Sequence, residues 1–256
     1  MDEVLEKSVG RVIETMREKL GEQLSIDEMA RTAMFSKFHF SRIFQRVTGV
    51  SPGRFLWAMR IQRAKQLLLT SSLNVTEISH TVGYTSVGTF SSRFSSAVGI
   101  SPSVYRRLGG YVPQTPAEEQ PAAAERPPPI VTGDVSATPD DDDPGLIFVG
   151  LFADRMPQGR PASSALLARP GPFVLSEVPY GTWYLLAHSI AVHRDATGRQ
   201  PVPAGEPRSI GFLGPIDVRQ DTTEVPAVRL RPVRAVDAPV LLAPPDVRLI
   251  QACGGR

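Results

Sequence analysis

The chain carries one cysteine in 256 residues, Cys253. An internal disulfide framework is therefore excluded, which fits a reducing compartment. No apolar run approaches the roughly 18 residues that a membrane-spanning helix requires. The opening MDEVLEKSVG is acidic and lacks the basic-then-apolar order of a secretory leader. Together these point to a cytoplasmic location. Histidines number only four. Two of them, His39 and His80, fall in helical pattern with no companion at ligand spacing, so neither suggests a metal centre.

Charge is present, but unevenly. Residues 1–110 hold 15 Lys/Arg against 9 Asp/Glu, a net of +6, whereas residues 111–256 hold 13 against 17, a net of −4. The first part attracts a polyanion and the second does not. All 13 basic residues of the second part are arginine, which fits a GC-rich coding bias.

The first 108 residues read as helices. Leu5, Val9, Val12, Ile13, Met16 and Leu20 recur at i, i+3, i+4 spacing, and Gly21 suits the stop of that helix. Ser25-Ile-Asp-Glu28 is a capping box opening a short helix through Ala33. Ser36 suits the cap of the next helix, with Phe40, Ile43 and Phe44 inward. Ser51-Pro52 starts a longer one, running to about Thr70, with serine at the cap and proline at the first helical position. Asn74-Val-Thr-Glu77 is a second capping box. Ser86 caps a helix carrying Phe90 and Phe94, and Ser101-Pro102 opens the last. Seven helices and no strand are expected.

Composition then changes. YVPQTPAEEQPAAAERPPP is a Pro/Ala/Glu stretch of the kind that forms semi-rigid linkers. Asp140–Asp143 are consecutive acids without a spaced ligand pattern, and suit a solvated turn better than a metal loop. From Ile130 the signals are those of strands: 146–153, 172–178, 181–192 and 224–233 are apolar or β-branched runs. Pro170-Gly171 and Tyr180-Gly181 punctuate them as turns. Short strands without helical period suggest a small sandwich. The expected organisation is an all-α domain over 1–110, a linker over 111–145, and an all-β, sandwich-like domain over 146–250.

FHFSRIFQRVTGVSP (38–52) is echoed by GTFSSRFSSAVGISP (88–102). Phe40, Phe44, Gly49, Ser51 and Pro52 return as Phe90, Phe94, Gly99, Ser101 and Pro102. Before the turn the offset is 49 (Ala30 to Ser79, Met34 to Gly83), which makes Thr85 an extra residue. Two copies are too few to stack as a solenoid. Each copy instead reads as a helix-turn-helix, whose second helix enters a major groove. A connecting helix over 52–70 is roughly 28 Å long at 1.5 Å per residue, close to the roughly 34 Å between successive major grooves on one DNA face.

Residues 2–108 resemble the DNA-binding domain of the AraC/XylS family of bacterial transcription regulators. The residues that carry this are FHFSRIFQRVTGVSPGRFLWAMRIQRAKQLLLTS, the turn EISHTVGY, and SVGTFSSRFSSAVGISPSVYRR. The resemblance implies two helix-turn-helix units joined by a long helix, and transcription regulators that commonly touch RNA polymerase. It places Ser36, Lys37, Phe38, Ser41, Arg42 and Gln45 toward the groove in the first unit. In the second it places Ser86, Val87, Gly88, Thr89, Ser91 and Ser92. Arg42 is the candidate for a bidentate guanine contact and Phe38 for a thymine methyl, although Arg42 also suits a surface ion pair. Lys37, Arg46 and Arg54 suit phosphates, and Arg93 is the corresponding candidate in the second unit. Ser92 stands where the family often has arginine, so weaker or shape-based reading is expected there. Met34 departs from the glycine usual in the turn, and Ser79 from the usual small apolar residue.

The run PGPFVLSEVPYGTWYLLAHS is similar to sandwich modules such as the regulatory domain of carboxypeptidases. Tyr180, Trp183, Tyr184 and His188 are candidates to line an effector site, or else are sandwich core and strand-edge residues. Chemistry is not expected. His188 and His193 sit five apart in a strand pattern, on opposite faces, and no G-x-S-x-G turn is present. Methyl transfer through a reactive cysteine, known among family relatives, has no cysteine in the first 252 residues to use.

The expectation is a sequence-specific regulator without catalytic activity or cofactor. Its partners would be double-stranded DNA, RNA polymerase, and a small-molecule or protein effector at the β domain. A non-specific or architectural DNA-binding protein, whose β domain is an interaction module, is the alternative.

Overall fold

The computed structural model describes residues 2–111, 128–137, 145–195, 198–201, 205–219 and 221–243. The expected linker core, the acids Asp140–Asp143 and Cys253 lie outside the described residues. The described chain divides into two compact units. One comprises the chain to Gly109 with Arg234–Leu241, and the other comprises Gly110–Val233 and the residues after Leu241.

The first unit is helical. Its elements are α1 (Asp2–Glu18), α2 (Ile26–Thr32), α3 (Lys37–Thr48), α4 (Pro52–Thr70), α5 (Val75–Thr81), α6 (Val87–Val98) and α7 (Pro102–Arg107). Caps set their starts. The Ser25 amide donates to Glu28 Oε2 at 2.8 Å, and the Glu28 amide donates back to Ser25 Oγ at 3.3 Å. The backbone and side-chain bonds from Ser25 hold the Glu28 carboxyl below its usual range. Asn74 and Glu77 make the same reciprocal pair before α5. Ser51 and Ser101 cap α4 and α7, each with proline in the first turn. Ser36, expected to cap α3, makes no side-chain cap bond. Gly49 and Gly99 end α3 and α6 in left-handed backbone, with φ of 80° and 91°.

The repeated phenylalanines are core. Phe40, Phe44, Phe90 and Phe94 are fully buried. Phe40 meets Phe44 with ring centroids 5.5 Å apart, and Phe44 meets Phe55 at 5.4 Å. Fifty residues on, Phe90 meets Phe94 at 5.8 Å and Phe94 meets Tyr105 at 5.6 Å. The sequence repeat is thus a repeat of one aromatic packing unit, worth about 0.5–1.5 kcal/mol per pair beyond area burial.

Two arginines staple helix ends. Arg106 Nε donates to Leu68 O at 2.9 Å and its Nη2 to Leu73 O at 2.6 Å, satisfying carbonyls around the end of α4. Arg60 Nε donates to Leu20 O at 3.0 Å and its Nη2 to Glu22 O at 2.6 Å, just past α1. The segment Arg234–Leu241 also belongs to this unit: Arg234 pairs with Glu6 at 3.1 Å, and Val236 and Leu241 are buried. The expected β domain over 146–250 therefore gives up these eight residues to the helical unit.

The second unit is β. One sheet has the order β11 (Arg231–Pro232), β8 (Ser209–Val218), β5 (Gly181–Ile190), β2 (Leu146–Phe152), β3 (Ser163–Leu167), all antiparallel. In the other, β1 (Ile130–Ser136) pairs antiparallel with β4 (Gly171–Leu175) and parallel with β9 (Thr222–Glu224) and β10 (Val228–Arg229). A small hairpin joins β6 (Val192–Asp195) to β7 (Gly198–Pro201). Val131, Val135, Phe173 and Leu175 of one sheet share an apolar core with Ile147, Val149, Leu151, Leu185, Ala187 and Val218 of the other. Phe148, Phe152, Leu186 and Ile210, on the opposite face of the larger sheet, are buried too, so β2 is an unbroken apolar run rather than an alternating one.

The sequence expectation differs in several places. β1 falls inside the range expected as linker, 111–145, although the strand signals begin at Ile130, and β3 lies outside the expected strand runs. The run 224–233 is not one strand; Pro226 interrupts it, and the chain crosses from β10 in one sheet to β11 in the other. β8 carries two glycines and a proline and so gives no strand signal. It pairs because Gly214 and Pro215 bulge opposite Tyr184, between the pairs Trp183↔Ile216 and Leu185↔Leu213.

Candidate nucleic-acid interface

The interface candidates stand on α3 and α6. In α3, one face is buried through Phe40, Ile43 and Phe44. Lys37, Phe38, Arg42, Gln45 and Arg46 project on the exposed side. Phe38 is 84% exposed, which leaves its ring accessible. Arg42 is exposed on this side, with its guanidinium open to a ligand. Lys37 is drawn toward Asp27, with Nζ 3.4 Å from the carboxylate; in so exposed a pair this costs little to release. Ser41 Oγ donates to Lys37 O at 2.9 Å and retains its acceptor lone pairs. Ser36, free of capping duty, sits exposed at the start of the helix. Arg54 lies in the first turn of α4, partly buried.

In α6 the exposed positions are small. Gly88, Thr89 and Ser92 are exposed, while Val87 and Ser91 are half-buried. Ser86 is occupied locally, its Oγ accepting from the Thr89 amide at 3.3 Å. The largest polar group there is Arg93. It is exposed and stands near the half-buried Tyr84, whose phenol burial pushes up from its usual range. The two helices therefore present different chemistry: long polar and aromatic side chains on α3, backbone and hydroxyls on α6.

The turns that set these helices share one hydrogen-bond pattern. Met34 N donates to Arg31 O at 3.0 Å and Phe35 N to Ala30 O at 3.0 Å; Gly83 N donates to His80 O at 2.9 Å and Tyr84 N to Ser79 O at 2.9 Å. Thr85 is the extra residue between turn and cap, as the change of offset implies. Ser79, fully buried, places its hydroxyl on Thr76 O at 2.8 Å and so carries no unpaired polar group into the core.

The four effector candidates do not form one cluster. Trp183 packs on the shared β core, with Nε1 donating to Pro179 O at 2.8 Å. Tyr184 and His188 alternate onto the other face of β5. His188 stacks with Phe148 at 5.3 Å, and its Nδ1 lies 2.9 Å from Ser189 O, which places a proton there because a carbonyl only accepts. Tyr180 is in the preceding turn, its hydroxyl 3.2 Å from Asp221 Oδ1. Among the described residues no group of three or more His, Cys, Asp or Glu is placed to hold a metal ion, and no helix is long and apolar enough to cross a membrane.

The junction around Arg60 was not anticipated from sequence. Its only signals were an arginine inside an apolar helix and the glycines Gly21 and Gly83, both ambiguous on their own.

A family model described as a helix-turn-helix domain matches residues 29–108. The HTH-type transcriptional activator AarP of Providencia stuartii is 31% identical over 98 residues, covering 38% of this chain and 73% of that protein. The MmsAB operon regulatory protein of Pseudomonas aeruginosa is 37% identical over 92 residues, covering 36% of this chain and 30% of that one. A transcriptional regulator with an AraC-type DNA-binding domain from Chromobacterium violaceum aligns over 40% of this chain and 92% of that one, at 26% identity and a TM-score of 0.39. The matched part thus spans most of AarP but under a third of the MmsAB regulator. With its capped helix pairs and their repeated aromatic packing, and with an identity of 31% extending over 73% of AarP, the chain belongs to the AraC/XylS family of helix-turn-helix transcriptional regulators.

Proposed function

We propose that this protein binds double-stranded DNA as a sequence-specific regulator, with α2–α3 and α5–α6 acting as two helix-turn-helix units joined by α4. The observation that carries this reading is α3. Its inward face is fixed by buried phenylalanines, while Phe38, Arg42 and Gln45 stand exposed along the other side. Arg42 matches the guanine edge and Phe38 the thymine methyl. Lys37, Arg46, Arg54 and Arg93 supply the phosphate contacts that make such binding salt-dependent. With Gly88, Thr89, Ser91 and Ser92 in its reading positions, α6 follows groove shape more than base edges. The β unit, with its own apolar core, modulates this binding through an effector or a protein partner, and RNA polymerase is the expected contact of the DNA-bound protein. No reaction is catalysed.

Selection of bound sequences from a random duplex library, using the full chain, tests the reading. Two short blocks about 10 base pairs apart, one sharp and one degenerate, are the expected result. An unstructured pool would favour the architectural alternative, because such a protein has a low ratio of specific to non-specific binding.

A further inference from the structure

The segment between α1 and α2 is locked against the turn between α5 and α6. A Cβ added at Gly21 would lie 2.7 Å from Thr81 O, and one at Gly83 would lie 2.9 Å from Leu20 O. Two stretches of backbone from opposite ends of the helical unit thus meet with no room for a side chain between them. Arg60, from α4, closes the contact. Its guanidinium holds Leu20 O and Glu22 O on one side. On the other, its Nη2 lies 2.7 Å from where a Gly83 Cβ would stand.

The first turn provides the control. Met34 holds the place of Gly83 in an identical hydrogen-bond pattern, also at positive φ (61°), yet its side chain is 81% exposed. The turn geometry tolerates a side chain where nothing covers it. Glycine at 83 answers to the junction as well as to the turn.

Resting on the two-unit reading above, we propose that Arg60, with Gly21 and Gly83, is a spacing determinant. It fixes α3 and α6 in one relative phase, so that only DNA blocks at one separation engage both. α4 packs on both helix pairs and makes one connection between them. A second connection lies beside it: Arg60 holds Leu20 O and Glu22 O, and the segment so held lies against Thr81 O and Gly83, which ties the phase of the two pairs. In binding terms, the junction raises the effective concentration of α6 at its own block once α3 is seated. Arg60 touches no DNA in this role; it is a positioning residue.

The test uses the full chain and duplexes carrying the two selected blocks at the selected spacing, at spacings one and two base pairs shorter and longer, and each block alone. Arg60→Met keeps the aliphatic stem and removes the donors. Wild-type protein should show a sharp optimum in spacing. Arg60→Met should bind single blocks within about twofold of wild type, yet lose roughly tenfold at the optimum and flatten the spacing profile. Arg60→Lys should fall between the two, because a flexible ammonium lacks the fixed fork that matches the two carbonyls. A merely structural role would instead lower all probes together and leave the profile's shape intact. Gly21→Ala, which pushes a methyl against Thr81 O, provides the same readout if Arg60→Met does not fold. A wild-type optimum that both folded variants retain would overturn the proposal alone. A wild-type profile with no optimum would overturn the two-unit reading, and this proposal with it.

Discussion

Met34 and Gly83 occupy the same place in two copies of one turn, at φ of 61° and 83°, but only Gly83 is covered. The same backbone therefore answers differently to substitution. Met34→Gly relieves a left-handed methionine that makes no core contact, and should raise stability by up to about 1 kcal/mol, offset in part by the added freedom of the unfolded chain. Gly83→Ala meets both the left-handed penalty and the Arg60 and Leu20 contacts, and should cost roughly 2–4 kcal/mol. Urea denaturation of both variants against wild type decides it; equal effects at the two positions would contradict the distinction.

Arg106 ties α7 to the carbonyls at the end of α4. Arg106→Met leaves those partly buried carbonyls without their charged donor and should destabilise the helical unit by roughly 2–3 kcal/mol. Amide hydrogen exchange in α5 and α7 should rise more than in α2 and α3. Uniform loss across all seven helices would show that the staple acts globally.

Lys65 lies in α4 and is buried, and burial pushes its ammonium down from 10.5 to about 7. The folded state gives up this proton before the unfolded state does. Stability should therefore rise with pH between about 7 and 10.5 and be insensitive to this group below about 7. Denaturation at pH 6.5, 8 and 9.5 reads the slope. Lys65→Met, close in length and uncharged, should remove it. A rise that survives in Lys65→Met would assign the slope to another group.

Arg42→Ala should weaken binding to the selected DNA by about 1–3 kcal/mol and relax preference at one or two positions of the sharp block. Arg46→Ala should weaken binding to specific and random DNA alike and reduce the salt slope by about 1. Anisotropy titrations at several salt concentrations separate the two behaviours. Equal losses on random and selected DNA for Arg42→Ala would make it a phosphate contact.

Local chemistry carried most of the helical unit. The capping boxes Ser25/Glu28 and Asn74/Glu77 and the Ser-Pro starts at 51 and 101 act within a few residues of themselves, so their spacing is enough to place a helix. The repeated phenylalanines were legible as core because an amphipathic helix has only one face to bury. Ser36 was the exception: it has a cap residue's chemistry, but the structure leaves its hydroxyl unused at the helix end. In the β unit, β2 and β5 were legible as apolar runs. β8 was not, because its pairing depends on a bulge that absorbs Gly214 and Pro215 against a strand about thirty residues earlier.

Neighbouring residues are thus enough for the fold class: a duplicated set of capped helices, a basic first part, and polar groups along one helix face. Relations between distant segments are not legible in that way. Three are plain: the crossing of 231–232 into the larger sheet, the return of Arg234–Leu241 to the helical unit, and the seating of Leu20–Glu22 against Gly83 under Arg60. The reason is physical. Caps and periodicity are properties of neighbouring residues, whereas a glycine selected by close approach and an arginine selected by distant carbonyls acquire their meaning only when the chain has brought those partners together.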